Sequence, residues 1–155
     1  MKKQKTIIKN QFRIVIPARS QNESFARTVL AGFAALCDPT VEEINDIKAA
    51  VSEAVTNCIV HAYADSESIG TIEITARIVS EEYGSEVLYI RIKDKGCGIA
   101  DIQKAKTPLF TTCAEGERAG LGFAVMESFM TKLKVYSKVG SGTTVTMSKR
   151  LKTRE

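Results

Sequence analysis

No stretch of this sequence approaches the roughly 18 consecutive apolar residues that a membrane-spanning helix needs. Its opening, MKKQKTIIKNQF, lacks the apolar core and cleavage site of a secretory signal, so cytoplasmic residence is the expectation. Histidine occurs once, as His61, and the cysteines Cys37, Cys58, Cys97 and Cys113 form no CxxC pair. The ligand spacings of a zinc site are therefore missing, and reduced, packed thiols are the expected state. There is no concentrated basic run away from the two ends. Lys and Arg total 22 against 18 Asp and Glu, and a spread charge of +4 does not by itself indicate a nucleic-acid partner. Neither GxxxxGK[ST] nor a GxGxxG between strand and helix is present, which excludes a Walker-type phosphate loop and a dinucleotide fold. Internal repeats and low-complexity tracts are absent as well.

What is present fits one ordinary globular core. A chain of 155 residues that is 44% hydrophobic is too short for two generous domains, so a single domain over 1–155 is expected. Two capping-box patterns, Ser20-Gln21-Asn22-Glu23 and Thr40-Val41-Glu42-Glu43, open helical periodicities and predict helices over about 20–37 and 40–62. Phe12, Ile14 and Ile16 alternate like a strand that stops at Pro17; Ile72, Ile74 and Ala76 make a second, and Leu88, Ile90 and Ile92 a third, with SEEYGSE as the hairpin loop between the last two. A long Gly-rich, Pro-containing loop follows Asp94, then a helix from Leu121 to Met130. A closing hairpin follows, with strands Leu133–Ser137 and Thr143–Leu151 joined through Val139-Gly140-Ser141-Gly142. The order β-α-α-β-β-loop-α-β-β predicts an α+β two-layer sandwich, a mostly antiparallel mixed sheet covered on one face by helices.

Within the second helix, SEAVTNCIVHAY keeps Glu53, Asn57 and His61 four residues apart beside a core stripe of Ile44, Ile47, Val51, Ala54, Val55 and Cys58. By itself the triplet also fits a solvated edge with helix-surface hydrogen bonds. Asp94-Lys95-Gly96-Cys97-Gly98-Ile99 ends a strand with a carboxylate and two glycines that let backbone approach a flat ligand, although the same residues serve in ordinary turns. Arg118-Ala119-Gly120-Leu121-Gly122-Phe123 sets glycines at a helix start, where free N–H groups favour phosphate oxygens. On the first helix the apolar stripe reads Phe25, Val29, Phe33 and Leu36, which turns Arg27 towards solvent.

In this order, ExxxNxxxH on a helix, DxGxG after a strand, GLGF at a later helix start and Gly-Thr-Thr on a late strand, the pieces resemble the ATP-binding fold shared by gyrase, a heat-shock chaperone, sensor histidine kinases and mismatch-repair ATPases. SQNESFAR at 20–27, DPT at 38–40, VSEAVTN at 51–57, PLFTT at 108–112 and MESFM at 126–130 sharpen the resemblance to the anti-sigma-F factor family of spore-forming bacteria. The likeness runs from about Asn10 to Met147 and departs at His61-Ala62, where His-Gly is expected, at Cys113, where Lys is expected, and in a longer basic N-terminus.

That resemblance implies ATP and Mg2+ as cofactors and a homodimer that binds sigma factor F and phosphorylates a serine of the competing anti-anti-sigma factor, without direct nucleic-acid or membrane contact. It implies Asn57 as the magnesium ligand, Glu53 as general base and Asp94 as the adenine acceptor. Gly96 and Gly98 would leave room for the ring, and Thr143 would hold the adenine edge through water. Gly120 and Gly122 would present amides to the phosphates, Arg118 would reach the γ-phosphate, and 101–119 would form the ATP lid with hinge-compatible Pro108, Gly116 and Gly120. Arg27 would be the contact shared by both protein partners. His61 is read as a packing or supporting residue. Related kinases that restrain a stress-response sigma factor share the nucleotide motifs, but SQNESFAR and PLFTT favour the sporulation family. Glu53 argues against a binding module without phosphotransfer, and a sensor-kinase fragment would need a phospho-accepting histidine outside the nucleotide motif.

Overall fold

The computed structural model describes residues 6–107 and 121–152. Strand β1 (Ile7–Pro17) leads through helix α1 (Gln21–Ala34) and α2 (Val41–Asn57) to a hairpin of β2 (Thr71–Ser80) and β3 (Glu86–Asp94). The short α3 (Ile102–Lys106), then α4 (Gly122–Phe129), β4 (Lys132–Lys138) and β5 (Gly142–Leu151), complete it. The sheet order is β1-β2-β3-β5-β4, and every pairing among the described residues is antiparallel.

Register explains the core. Ile14 opposes Ile74, Ile74 opposes Ile92, and Ile92 opposes Val145, while Ala76, Ile90 and Met147 form a parallel row two residues on. Cross-strand partners share a face, so the alternating residues of four strands become one apolar layer. Against it lie Leu30, Ile47, Val51, Val55 and Met126 from the helices, all with no exposed surface. Each such large side chain contributes about 1.5–3 kcal/mol through burial. Phe12 and Phe33 meet edge to face with ring centres 4.8 Å apart, joining β1 to α1. The outer edge strand β4 carries exposed Lys132, Lys134 and Lys138, charges that discourage pairing with another chain. Among the described residues no helix is long and apolar enough to cross a membrane.

Three local features differ from the sequence reading. The buried stripe of α1 is Ala26, Leu30 and Ala34, with Val29 and Phe33 on its flank, whereas Phe25 and Leu36 are 49% and 64% exposed. Large residues set the expected phase, but α1 packs against α2 with small residues, and both helices bury alanines that allow close approach. Residues 102–106, expected within a loop, form a short helix because Asp101 caps it by accepting from the Lys104 N–H at 3.0 Å. The capping boxes also part company. At Thr40 the hydroxyl accepts from the Glu43 N–H at 3.1 Å and the Glu43 carboxylate accepts from the Thr40 N–H at 2.8 Å. Ser20 already has helical backbone angles (φ −54°, ψ −41°), its side chain makes no capping bond, and the Glu23 N–H turns to the Ser20 carbonyl instead.

Glu43 does more than cap. It is buried, and its other oxygen accepts from the Lys152 N–H at 2.8 Å, tying the start of α2 to the end of β5. Thr40→Ala should therefore cost about 1 kcal/mol in urea denaturation, because an N-cap bond to a buried partner is lost. Ser20→Ala should stay within about 0.5 kcal/mol of the parent; equal losses at both positions would show that the two caps are alike.

Candidate functional site

The helical period that aligns Glu53 with Asn57 carries both to the half-buried edge of α2, at the border of core and solvent. Facing them is the first residue of α4. A Cβ built on Gly122 would stand 3.2 Å from Glu53 Oε2, 3.3 Å from Asn57 Oδ1 and 3.4 Å from Asn57 Nδ2. The helix start thus meets one acid and one amide, and no side chain caps it. The free amides of such a turn favour anionic groups.

Directly after Asn57 the helix widens into a π turn over Cys58–Ala62. The period that placed His61 on the same edge holds only as far as Asn57. Burial lowers the His61 pKa below its ordinary value, which favours the neutral imidazole. Cys58 points the other way, into the core, and its thiol donates to Asp94 Oδ2 at 3.5 Å. Burial first, and then the charge of Asp94, push the Cys58 thiol well above its usual pKa, so it remains a donor.

Asp94 ends β3 and is 5% exposed. Its Oδ1 accepts two amides, Gly96 N–H at 2.9 Å and Thr143 N–H at 3.2 Å. The loop beyond it is anchored at every step: Lys95 N–H donates to the Tyr63 hydroxyl (2.8 Å), Cys97 N–H to the Ala62 carbonyl (2.8 Å), and Ile99 N–H to Ser137 Oγ (2.7 Å). The Tyr63 hydroxyl in turn donates to the Thr71 carbonyl at 2.6 Å.

The two loop glycines have a structural reason of their own. A Cβ on Gly96 would lie 2.1 Å from the Ala62 carbonyl oxygen, and one on Gly98, whose φ is +76°, 2.3 Å from the Lys138 carbonyl oxygen. The backbone they approach is the protein's own. Neither Tyr63 nor Ser137 stood out in the sequence, because a hydroxyl among many gives no signal until strand register and loop path are known. Cys58 was read only as part of the core stripe.

Arg27 is not fully turned to solvent. Next to the true stripe residue Ala26, it is half-buried and donates to Glu23 Oε1 at 3.1 Å and to Ser52 Oγ at 3.4 Å, one residue before Glu53. Arg118, Gly120, Cys113 and most of the expected lid, from Pro108 on, lie outside the described residues. Among the described residues no group of three or more His, Cys, Asp and Glu is arranged to hold a metal.

The model of the histidine kinase-like ATPase domain family matches residues 16–149, which hold Glu53, Asn57, Asp94 and Gly122, and the chain belongs to that family. Over 140 residues the chain is 55% identical to the anti-sigma F factor of Caldanaerobacter subterraneus subsp. tengcongensis, covering 90% of this chain and 93% of the relative. It is 45% identical over 146 residues to that of Clostridium novyi, covering 94% and 98%. The chain belongs to the anti-sigma F factor family. About a third of the solved chain holding the RsbU and RsbW domains of a Mycobacterium tuberculosis protein shares its fold, with a TM-score of 0.61 at 22% identity over 92% of this chain and 32% of that one.

The glycine contacts separate fold from site. Gly96→Ala pushes into fixed backbone and should lower stability by about 1–3 kcal/mol. Gly122→Ala meets only side-chain tips at 3.2–3.4 Å. It should keep stability within about 1 kcal/mol yet weaken nucleotide binding, read by denaturation and nucleotide titration of both variants. Equal destabilisation with unchanged binding would remove Gly122 from the site.

Proposed function

We propose that the chain is an ATP- and magnesium-dependent protein serine kinase of the cytoplasm. As a homodimer it keeps sigma factor F from RNA polymerase and phosphorylates a serine of the anti-anti-sigma factor that competes for it. The observation that carries this reading is the end of α2, where consecutive residues meet two separate parts of the fold: Asn57, like Glu53, lies against Gly122, and Cys58 holds Asp94.

In this reading Asp94 accepts from the exocyclic amine of adenine, Thr143 helps hold the base edge through water, and the amides of Gly120 and Gly122 bind phosphate oxygens. Gly96 and Gly98 shape the loop beneath the base. Asn57 fits a magnesium ligand, since its Oδ1 is a hard, neutral oxygen on the side that Gly122 leaves open. Magnesium, when bound, neutralises charge on the phosphates. Glu53 accepts the proton of the attacking serine hydroxyl, a role worth typically about 10²–10⁴ in rate. Arg118 reaches the γ-phosphate from a lid spanning 101–119, and Arg27 contacts both protein partners.

The decisive experiment incubates the protein with labelled ATP, magnesium and the anti-anti-sigma factor of the same genome and looks for phosphoserine on the latter. Glu53→Gln keeps size and hydrogen bonding but cannot take the proton. It should retain ATP binding and sigma-factor binding while phosphorylation falls by at least about a hundredfold. A near-normal rate would dismiss Glu53 as the base.

Arg27→Glu tests the partner surface. The reversed charge faces Glu23 one turn away, a like-charge pair that costs only about 0.2–0.5 kcal/mol in the helix. Loss of sigma-factor affinity by at least about tenfold, roughly 1.4 kcal/mol, is expected with ATP binding intact. Calorimetric titration with each partner checks it, and normal affinity for both would return Arg27 to a purely intramolecular role.

A further inference from the structure

Lys149 breaks the pattern of its strand. Val145 and Met147 put their side chains into the apolar layer, and the alternation carries Lys149 to the same face, opposite the fully buried Leu88. Only 14% of the lysine side chain is exposed. An ammonium held that far from water is costly unless it is paired. Two acceptors meet it: Asp46 Oδ2 on α2 at 2.9 Å, and the carbonyl oxygen of Phe129, the last residue of α4. That carbonyl is one of the four at a helix end that have no partner within the helix, and a cation there also suits the helix dipole.

The place of Asp46 on α2 ties this bridge to the site. Asp46 and Glu53 are seven residues apart, which on a helix is about 20° short of two full turns, so they share one edge of α2. Gly122 and Phe129 are also seven residues apart, and a rise of about 1.5 Å per residue makes both spans roughly 10.5 Å. Glu53 and Asn57 stand at the Gly122 end, and the Lys149 bridge stands at the Phe129 end. Helix α4 thus runs antiparallel to α2, tied at its C-terminal end, with its N-terminal end beside the acid and the amide.

We propose that Lys149 is a positioning residue for phosphoryl transfer: its bridge between Asp46 and Phe129 fixes how far α4 sits along α2, and so holds the Gly122 amide in register with Glu53 and Asn57. A slip of one residue would carry that amide about 1.5 Å, and an error of about 1 Å near a reacting centre costs up to roughly a hundredfold in rate. Lys149 acts through α4, from the far end of that helix. The inference rests on the proposed roles of Glu53 and Gly122.

Positioning differs from mere stability and from mere charge in what it changes. Lys149→Met suits the apolar layer and removes the bridge. On the full chain it should weaken ATP by at least about tenfold relative to adenosine, which has no phosphates to place and is measured by its competition against ATP. Phosphorylation at saturating ATP should fall by a similar factor, and Lys149→Arg, which keeps the donors, should recover most of both. Removal of a positive charge would by itself also weaken ATP, so Asp46→Ala decides between the two. Loss of a negative charge alone would tighten ATP binding, whereas loss of the bridge should weaken it and slow phosphorylation. Asp46→Ala also carries the test if Lys149→Met does not fold. A lower thermal midpoint with the ATP-to-adenosine ratio and the rate unchanged, or tighter ATP binding in Asp46→Ala, overturns the inference and leaves the site reading standing. Unchanged ATP affinity in Gly122→Ala, together with a near-normal rate in Glu53→Gln, overturns the site reading and this inference with it.

Discussion

The carboxylate of Asp94 is the constraint on which the rest of the site depends. It draws on three segments far apart in the chain: the end of α2 through Cys58, its own loop through Gly96, and β5 through Thr143. A buried carboxylate without donors would be expensive, on the order of several kcal/mol. The fold therefore cannot close with any of these segments out of place. Two amides on one oxygen fix the group's orientation, and the other oxygen, held by a weak thiol donor alone among these contacts, keeps capacity for a stronger one. Structural need thus occupies one oxygen, and the recognition proposed for Asp94 would fall to the other.

The same economy governs the backbone around it. The π turn at Cys58–Ala62 ends α2 with carbonyls that no helix turn can use, and Ala62 offers its own to the Cys97 N–H. Gly96 permits that contact by lacking a Cβ. Tyr63 then spans from the next turn to both Thr71 and Lys95, so one phenol holds the start of β2 and the loop after β3. The loop after Asp94 is thus held from the helix side by α2 and from the far side by Ser137 and Gly140, whose N–H donates to the Cys97 carbonyl at 2.8 Å. A Gly-rich loop so anchored is preorganised rather than pliant, which lowers the ordering cost of binding a flat ligand.

Alternating strands and the helix edge of Glu53 and Asn57 were legible in the sequence because periodicity is a local property that packing confirms. The phase of α1 was not. Phe25 looked like core and Ala26 did not, yet close packing of two helices rewards the smaller residue and leaves the ring at the surface. Capping boxes carry the same lesson, since Ser20 and Thr40 have the same pattern but only Thr40 has an extended backbone that lets its hydroxyl reach back. The structural need for the two glycines is not legible in sequence, because the backbone nearest to them comes from Ala62 and Lys138, distant along the chain. Ser137 could not be singled out at all. Its meaning lies in the register that sets Ser137 opposite Thr143 and in the path that brings Ile99 across.

Arg27, the proposed partner contact, is held only weakly within the chain. Its side chain is 36% exposed, and its bonds to Glu23 and Ser52 are one i,i+4 pair and one long contact. An exposed pair of that kind is worth about 0.3–0.5 kcal/mol, enough to bias the guanidinium towards one side of α1 and too little to resist a desolvated carboxylate on another protein. Ser52 sits beside Glu53 on α2, so the Arg27 guanidinium of α1 reaches the residue next to the carboxylate proposed for phosphotransfer. A substrate protein that reaches for Arg27 would therefore be placed at the edge where its serine must arrive. In the proposed function, the packing of α1 on α2 that brings Arg27 to Ser52 would link holding a partner to modifying one.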